Sequence, residues 1–135
     1  MRNGDKKTIL VVDDESNVRE LIHRILSKDY KVLEAADGQD AVNLATAKIP
    51  DVILMDLMMP RMDGLAACFA IKNNESTKKI PVLMLTAFAS EGNSVLAQEV
   101  WGADRYLAKP FVAEDLLNTL TQVTKRLSKD GIDTY

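Results

Sequence analysis

Three uninterrupted apolar runs frame the chain: Ile9-Leu10-Val11-Val12, Val52-Ile53-Leu54-Met55 and Val82-Leu83-Met84-Leu85. Each is rich in branched residues and gives way to polar or turn residues. A strand with one wet face alternates apolar and polar positions. A run without alternation reads instead as a strand buried on both faces, as in a parallel sheet. Two weaker runs, Val32-Leu33-Glu34-Ala35 and Tyr106-Leu107-Ala108, are shorter or interrupted by charge and predict edge strands.

Between these runs the apolar period lengthens to that of a helix. Val18, Leu21, Ile22 and Ile25 fall at i, i+3, i+4 and i+7, and Leu116, Leu117, Leu120, Val123 and Leu127 stripe a final helix. Ala41, Leu44 and Ala45 suggest a helix after Asp37-Gly38. Asp63-Gly64 opens another with Asp63 as N-cap, and residues from about Ser90 to Trp101 supply a further one before Gly102. Pro50 and Pro81 close the segments that precede two of the strands. The alternation of strand and helix predicts an α/β fold: a doubly wound, five-stranded parallel sheet with helices on both faces.

The chain's 135 residues suffice for one such core and leave no room for a second domain. We expect a domain over residues 1–127 and a polar tail over 128–135. A net charge of −3, with basic residues scattered among acids, argues against direct contact with nucleic acid. No apolar stretch reaches a membrane span, and the start lacks the apolar region of a signal peptide, so a cytoplasmic protein with no membrane partner is expected. Cys68, the only cysteine, sits in an apolar run and reads as a small buried hydrophobe.

In a doubly wound sheet, groups that act together gather at the carboxyl ends of the strands, where the strand order reverses. Asp13-Asp14 ends the first strand, Asp56 the third, Thr86 the fourth and Lys109-Pro110 the fifth. Clustered ionised carboxylates repel one another and call for a counter-charge. A small hard cation with oxygen ligands, Mg²⁺ or Mn²⁺, meets that need. Lys109 adds a second positive charge, and the Thr86 hydroxyl a hydrogen-bond donor, for an incoming phosphoryl group. A lone Asp beside a strand is more often a cap or turn former, the reading given to Asp37, Asp51 and Asp104. His23, the only histidine, reads as a surface or packing residue.

Four segments, Val11-Val12-Asp13-Asp14-Glu15, Asp56-Leu57-Met58-Met59-Pro60-Arg61-Met62-Asp63-Gly64, Leu85-Thr86-Ala87 and Tyr106-Leu107-Ala108-Lys109-Pro110-Phe111, resemble the receiver domain of bacterial two-component response regulators. The likeness runs from about Thr8 to Leu127. It implies a flavodoxin-like sheet of order 2-1-3-4-5. It also implies Asp56 as phosphoacceptor from a histidine kinase or phosphotransfer protein, and a cation held by Asp13, Asp14, Asp56 and the Met58 carbonyl. Thr86 and Ala87 would contact the phosphoryl group, Tyr106 would pair with Thr86 as a switch, and the Lys109-Pro110 bond would be cis. Such a protein catalyses its own phosphorylation and slow dephosphorylation but is otherwise no enzyme. Its output, to a downstream protein target, would lie on the fourth helix, fifth strand and fifth helix.

Met58 and Phe88 stand where relatives tune hydrolysis, and neither can orient a water, which predicts a long-lived aspartyl phosphate. The interval from Thr86 to Lys109 is one residue longer than usual, and Trp101 replaces a small residue before Gly102. Trp101 and Tyr106 are therefore candidates for the output surface, and Asn17, Val18 and Leu21 for kinase docking. A flavin binder would need an anion-accepting loop where Asp13-Asp14 stands. A phosphohydrolase would need an acid at position 58. An alternative is a receiver excised from a larger DNA-binding regulator or hybrid histidine kinase.

Overall fold

A computed structural model describes residues 6–56, 64–86 and 103–130, the side chains of Thr86 and of residues 125–130 excepted. In chain order the elements are β1 (Lys7–Val12), α1 (Ser16–Leu26), β2 (Tyr30–Ala35), α2 (Gly38–Lys48), β3 (Val52–Asp56), α3 (Gly64–Lys72), β4 (Val82–Thr86), β5 (Arg105–Ala108) and α4 (Ala113–Asp130). All four strand pairings are parallel, and the sheet order is β2-β1-β3-β4-β5. The apolar runs β1, β3 and β4 are the three interior strands, and the shorter or charge-interrupted runs are the edges. The helix expected over residues 90–101 and the Asp63 cap lie outside the described residues.

The two-residue period of the strands divides the core into two layers. Ile9, Val11, Leu54, Leu83 and Leu85 face one side and pack with Ile22 and Leu26 of α1 and Leu116, Leu120 and Val123 of α4. Leu10, Val12, Ile53, Met55, Val82 and Met84 face the other and meet Ala41 and Ala45 of α2 and Ala67, Cys68 and Ile71 of α3. Each fully buried aliphatic side chain stabilises the fold by roughly 1.5–3 kcal/mol relative to exposure, so interior strands tolerate no polar position until the sheet ends. Leu21 departs from its expected place in the α1 stripe. It is 53% exposed, and Leu26, one turn beyond Ile22, fills the core instead. Cys68 is fully buried, and burial pushes its thiol up to about 12, so it stays protonated and packs as a hydrophobe.

Asp37 caps α2, its side chain accepting from the Asp40 amide at 2.9 Å. Asp51 and Asp104 cap no helix. Each precedes a strand and clamps its neighbour: Asp51 Oδ2 accepts from Thr8 N at 2.7 Å while its own amide donates to Thr8 O at 2.8 Å. Asp104 does the same with Val82, at 2.7 and 2.9 Å. The clamps start β3 beside β1 and β5 beside β4, and thereby set which residues emerge at the far ends of the strands. Among the described residues no helix is long and apolar enough to cross a membrane.

α2 closes on Ile49 in the left-handed region, with φ 44° and ψ 67°. There a β-branched side chain crowds the following carbonyl at a cost of about 1–2 kcal/mol, and at 49% exposure Ile49 recovers little of it by packing. Ile49→Gly is therefore expected to raise unfolding stability by about 0.5–1 kcal/mol, the steric relief exceeding the added entropy of the unfolded chain. Chemical denaturation of the two proteins checks this, and a lower midpoint for the variant would show the residue to be unstrained.

Candidate functional site

The chain leaves β1 for β2 on one side and returns with β3 on the other, so a crevice opens between the carboxyl ends of β1 and β3. Asp13 is the first residue past β1 and Asp56 the last of β3. The register pairs Val12 with Met55, which places the two carboxylates side by side at the same level. Carboxylate oxygens of Asp13, Asp14 and Asp56 all lie within 4.8 Å of one another. Asp13 is fully buried, Asp56 nearly so, and Asp14 is exposed at the mouth.

Lys109 reaches into this cluster from the end of β5. Its Nζ donates to Asp56 Oδ1 at 3.1 Å and forms an ion pair with Asp13 Oδ2 at 3.5 Å, with the side chain 26% exposed. The Lys109-Pro110 bond that follows is cis. Burial works against the Lys109 charge, but the hydrogen bond to Asp56 and the charges of Asp13 and Asp56 outweigh it and hold the ammonium above its ordinary range. Asp13 is also raised, which for a carboxylate disfavours the charged form. Burial first, and then the neighbouring Asp56 charge, raise its pKa against the lowering effects of the Glu15 amide and Lys109. Among the described residues, one ammonium is thus set against three carboxyl groups.

The donor set suits a hard divalent cation. Among the described residues the candidate ligands are carboxylate oxygens, their spacing is on the scale of an oxygen octahedron, and Asp13 Oδ2 is a buried acceptor with no hydrogen-bond partner. An acceptor left in that state destabilises the fold unless a cation or donor meets it, and Lys109 at 3.5 Å is a long contact that meets it weakly.

The structure brings together Asp13, Asp14, Asp56 and Lys109 out of the predicted site residues. Thr86 is the last residue of β4, paired with Ala108 across the sheet. Tyr106 lies half-buried on edge strand β5 against the core layer that contains Met84, and burial raises its phenol pKa. Asn17, Val18 and Leu21 lie along α1, directly after the acidic pair, with Asn17 and Leu21 exposed and Val18 half-buried. Met58, Ala87, Phe88 and Trp101 lie outside the described residues. Sequence reasoning missed Arg19 and Glu34, which join each other beside the crevice at 3.1 Å. The available signal was an acid inside an otherwise apolar edge run.

A family model described as response regulator receiver domain matches residues 9–121. The phosphate regulon transcriptional regulatory protein PhoB of Pseudomonas aeruginosa is 41% identical over 121 residues, 89% of this chain and 52% of that protein. The chain spans about half the length of the curated relatives it matches. Among solved structures, chemotaxis protein CheY4 of Vibrio cholerae superposes with a TM-score of 0.82 at 35% identity, over 87% of this chain and 98% of that one. The receiver domain of sensor histidine kinase PA1611 from P. aeruginosa, described with magnesium coordinated in its active site cleft, gives 0.81 at 33% identity, over 89% of this chain and 98% of that one.

Proposed function

We propose, from the premise that this chain belongs to the response regulator receiver domain family of two-component signalling, that it is a switch thrown by phosphorylation of Asp56. The observation that carries the reading is the meeting of Asp13, Asp14 and Asp56 at one crevice with Lys109 on Asp56. In the transfer, an Asp56 oxygen attacks the phosphorus of a kinase phosphohistidine. The P–O bond forms as the P–N bond breaks, and the departing imidazole takes up a proton. Such transfer demands mainly alignment and neutralisation of the equatorial oxygens.

Asp13, Asp14, Asp56 and the Met58 carbonyl are the residues that would hold Mg²⁺ or Mn²⁺, and the cation's contribution is to neutralise charge on the transferring group. Lys109 orients Asp56 beforehand and adds a fixed positive charge on the other flank. Thr86, the last residue of β4, and Ala87 after it in sequence would receive the new phosphoryl oxygens, and Tyr106 would report that contact to a partner surface that includes Trp101. Asn17, Val18 and Leu21, next to the acidic pair, would form the kinase's docking face. Met58 and Phe88 would slow the return by failing to align water.

A second reading differs only in what responds to the switch. The length of relatives such as PhoB, described as a transcriptional regulatory protein, supports a receiver that serves a longer regulator. Both readings require the same acyl phosphate. Incubation with acetyl phosphate and Mg²⁺ should add one phosphoryl group by intact mass, and neither chelator-treated protein nor Asp56→Asn should gain it. A wild type that stays unmodified, or an Asp56→Asn protein that gains the same mass, overturns the assignment.

A further inference from the structure

Asp13 is held at almost every polar atom. Its amide donates to Ala35 O on β2 at 3.2 Å, and its Oδ1 accepts from the Glu15 amide at 2.9 Å. Its main-chain carbonyl lies past the end of β1 and accepts from Arg19 Nη1 at 2.7 Å. The same guanidinium gives its Nε to Glu34 Oε1 at 3.1 Å, with the Arg19 side chain 18% exposed. Glu34 turns its other oxygen to His23 Nδ1 at 2.8 Å. The His23 hydrogen bond first, and then that of Arg19, hold Glu34 below the ordinary carboxylate range, so it stays charged and keeps its grip on the guanidinium. Among the described residues Asp13 Oδ2 has no hydrogen-bond partner, and it is the oxygen on the Lys109 side of the crevice.

We infer that Arg19 is a positioning residue for the cation site: by fixing the Asp13 carbonyl while anchored to Glu34, it presents Asp13 Oδ2 to the cation. The inference rests on the cation-dependent reading above. A guanidinium suits the task because its planar fork reaches two acceptors at once in a fixed geometry, whereas a lysine ammonium, a point charge on a flexible stem, would not fix their relative positions. Partners outside the ligand set commonly account for about 10–100-fold in metal affinity by holding ligands in place.

The sign of the effect separates this role from the alternatives. Arg19 is itself a cation near an acidic site, so removing its charge alone would tighten metal binding. A residue that only stabilised the fold would leave the affinity of the folded protein unchanged. We therefore expect Arg19→Ala to bind Mn²⁺ about tenfold more weakly than wild type, measured by the free-ion electron paramagnetic resonance signal on protein shown to be folded by circular dichroism. Unfolding in chelator, run in parallel, isolates any loss of apo stability. A dissociation constant equal to or below that of wild type overturns the inference, whatever happens to stability. If Arg19→Ala does not fold, Arg19→Lys takes its place under the same criterion, with an expected loss of about threefold. Wild type that binds no Mn²⁺ would strike the cation reading itself, a result distinct from equal binding by wild type and variant.

Discussion

Lys109→Met is expected to slow phosphorylation of Asp56 by about 10²–10³-fold, the usual consequence of removing one fixed positive group from a site of developing charge. Methionine keeps the unbranched apolar stem that packs beside the crevice and deletes only the ammonium, which lies 3.1 Å from Asp56 and 3.5 Å from Asp13. Cation binding should respond in the other direction. With the competing ammonium gone, the metal no longer shares the carboxylates with Lys109, and Mn²⁺ affinity should hold or rise. The apo protein should lose about 2 kcal/mol at neutral pH, because two buried carboxylates lose the attraction of the Lys109 ammonium. The loss falls short of a fully buried pair's 3–5 kcal/mol because Lys109 is partly solvated. Rates from acetyl phosphate at saturating Mg²⁺, with metal titrations alongside, separate the effects. Unchanged rates would assign Lys109 to structure alone, and weaker metal binding would mean that it organises the ligands.

How much of this was legible beforehand depended on the range of the interaction concerned. β1, β3 and β4 were readable because a strand buried on both faces must be apolar at every position, and that constraint is local. The acidic pair and Asp56 were readable because they terminate such runs, and Lys109 because it ends the shorter edge run, so strand ends located the candidate site. Asp51 illustrates the opposite case. Its carboxylate binds an amide 43 residues away, and nothing within its own segment distinguishes a strand clamp from a turn former. Leu21 fits the helical period as well as Leu26 does, yet only the position of the sheet decides which one faces it. Arg19 and Glu34 lie on different elements, and a guanidinium reaching back to a main-chain carbonyl leaves no side-chain pattern to read. Such contacts are products of the assembled fold, whereas the site residues themselves were announced by breaks in hydrophobicity.

Asp13→Asn should exchange function for stability. The amide keeps the shape of the carboxylate and can retain the hydrogen bond from the Glu15 amide, but it loses a fully buried negative charge whose Oδ2 has no hydrogen-bond partner and whose neighbour is Asp56. In chelator at pH 7 the variant is expected to be about 1–2 kcal/mol more stable than wild type, because relief of the burial penalty and of repulsion from Asp56 exceeds the lost attraction to Lys109, which keeps Asp56 as its partner. The pH dependence follows from the direction of the Asp13 shift. Folding raises its pKa above the ordinary value of 3.8, so the folded state binds the proton more tightly than the unfolded state. Its favourable contribution is present below that ordinary value and is lost as pH rises through the folded pKa. The advantage of Asp13→Asn should therefore be full at neutral pH and shrink as the solution is acidified toward the unfolded value. Mg²⁺ should reverse the order. At one hundred times its dissociation constant a ligand adds about 2.7 kcal/mol to wild type, whereas the variant, with at least about 100-fold weaker affinity, gains almost nothing. Unfolding curves with and without the metal should thus cross. If wild type were the more stable protein in chelator, the acidic crevice would not be a strained site that the cation relieves, and the charge on Asp13 would have to be satisfied within the apo fold.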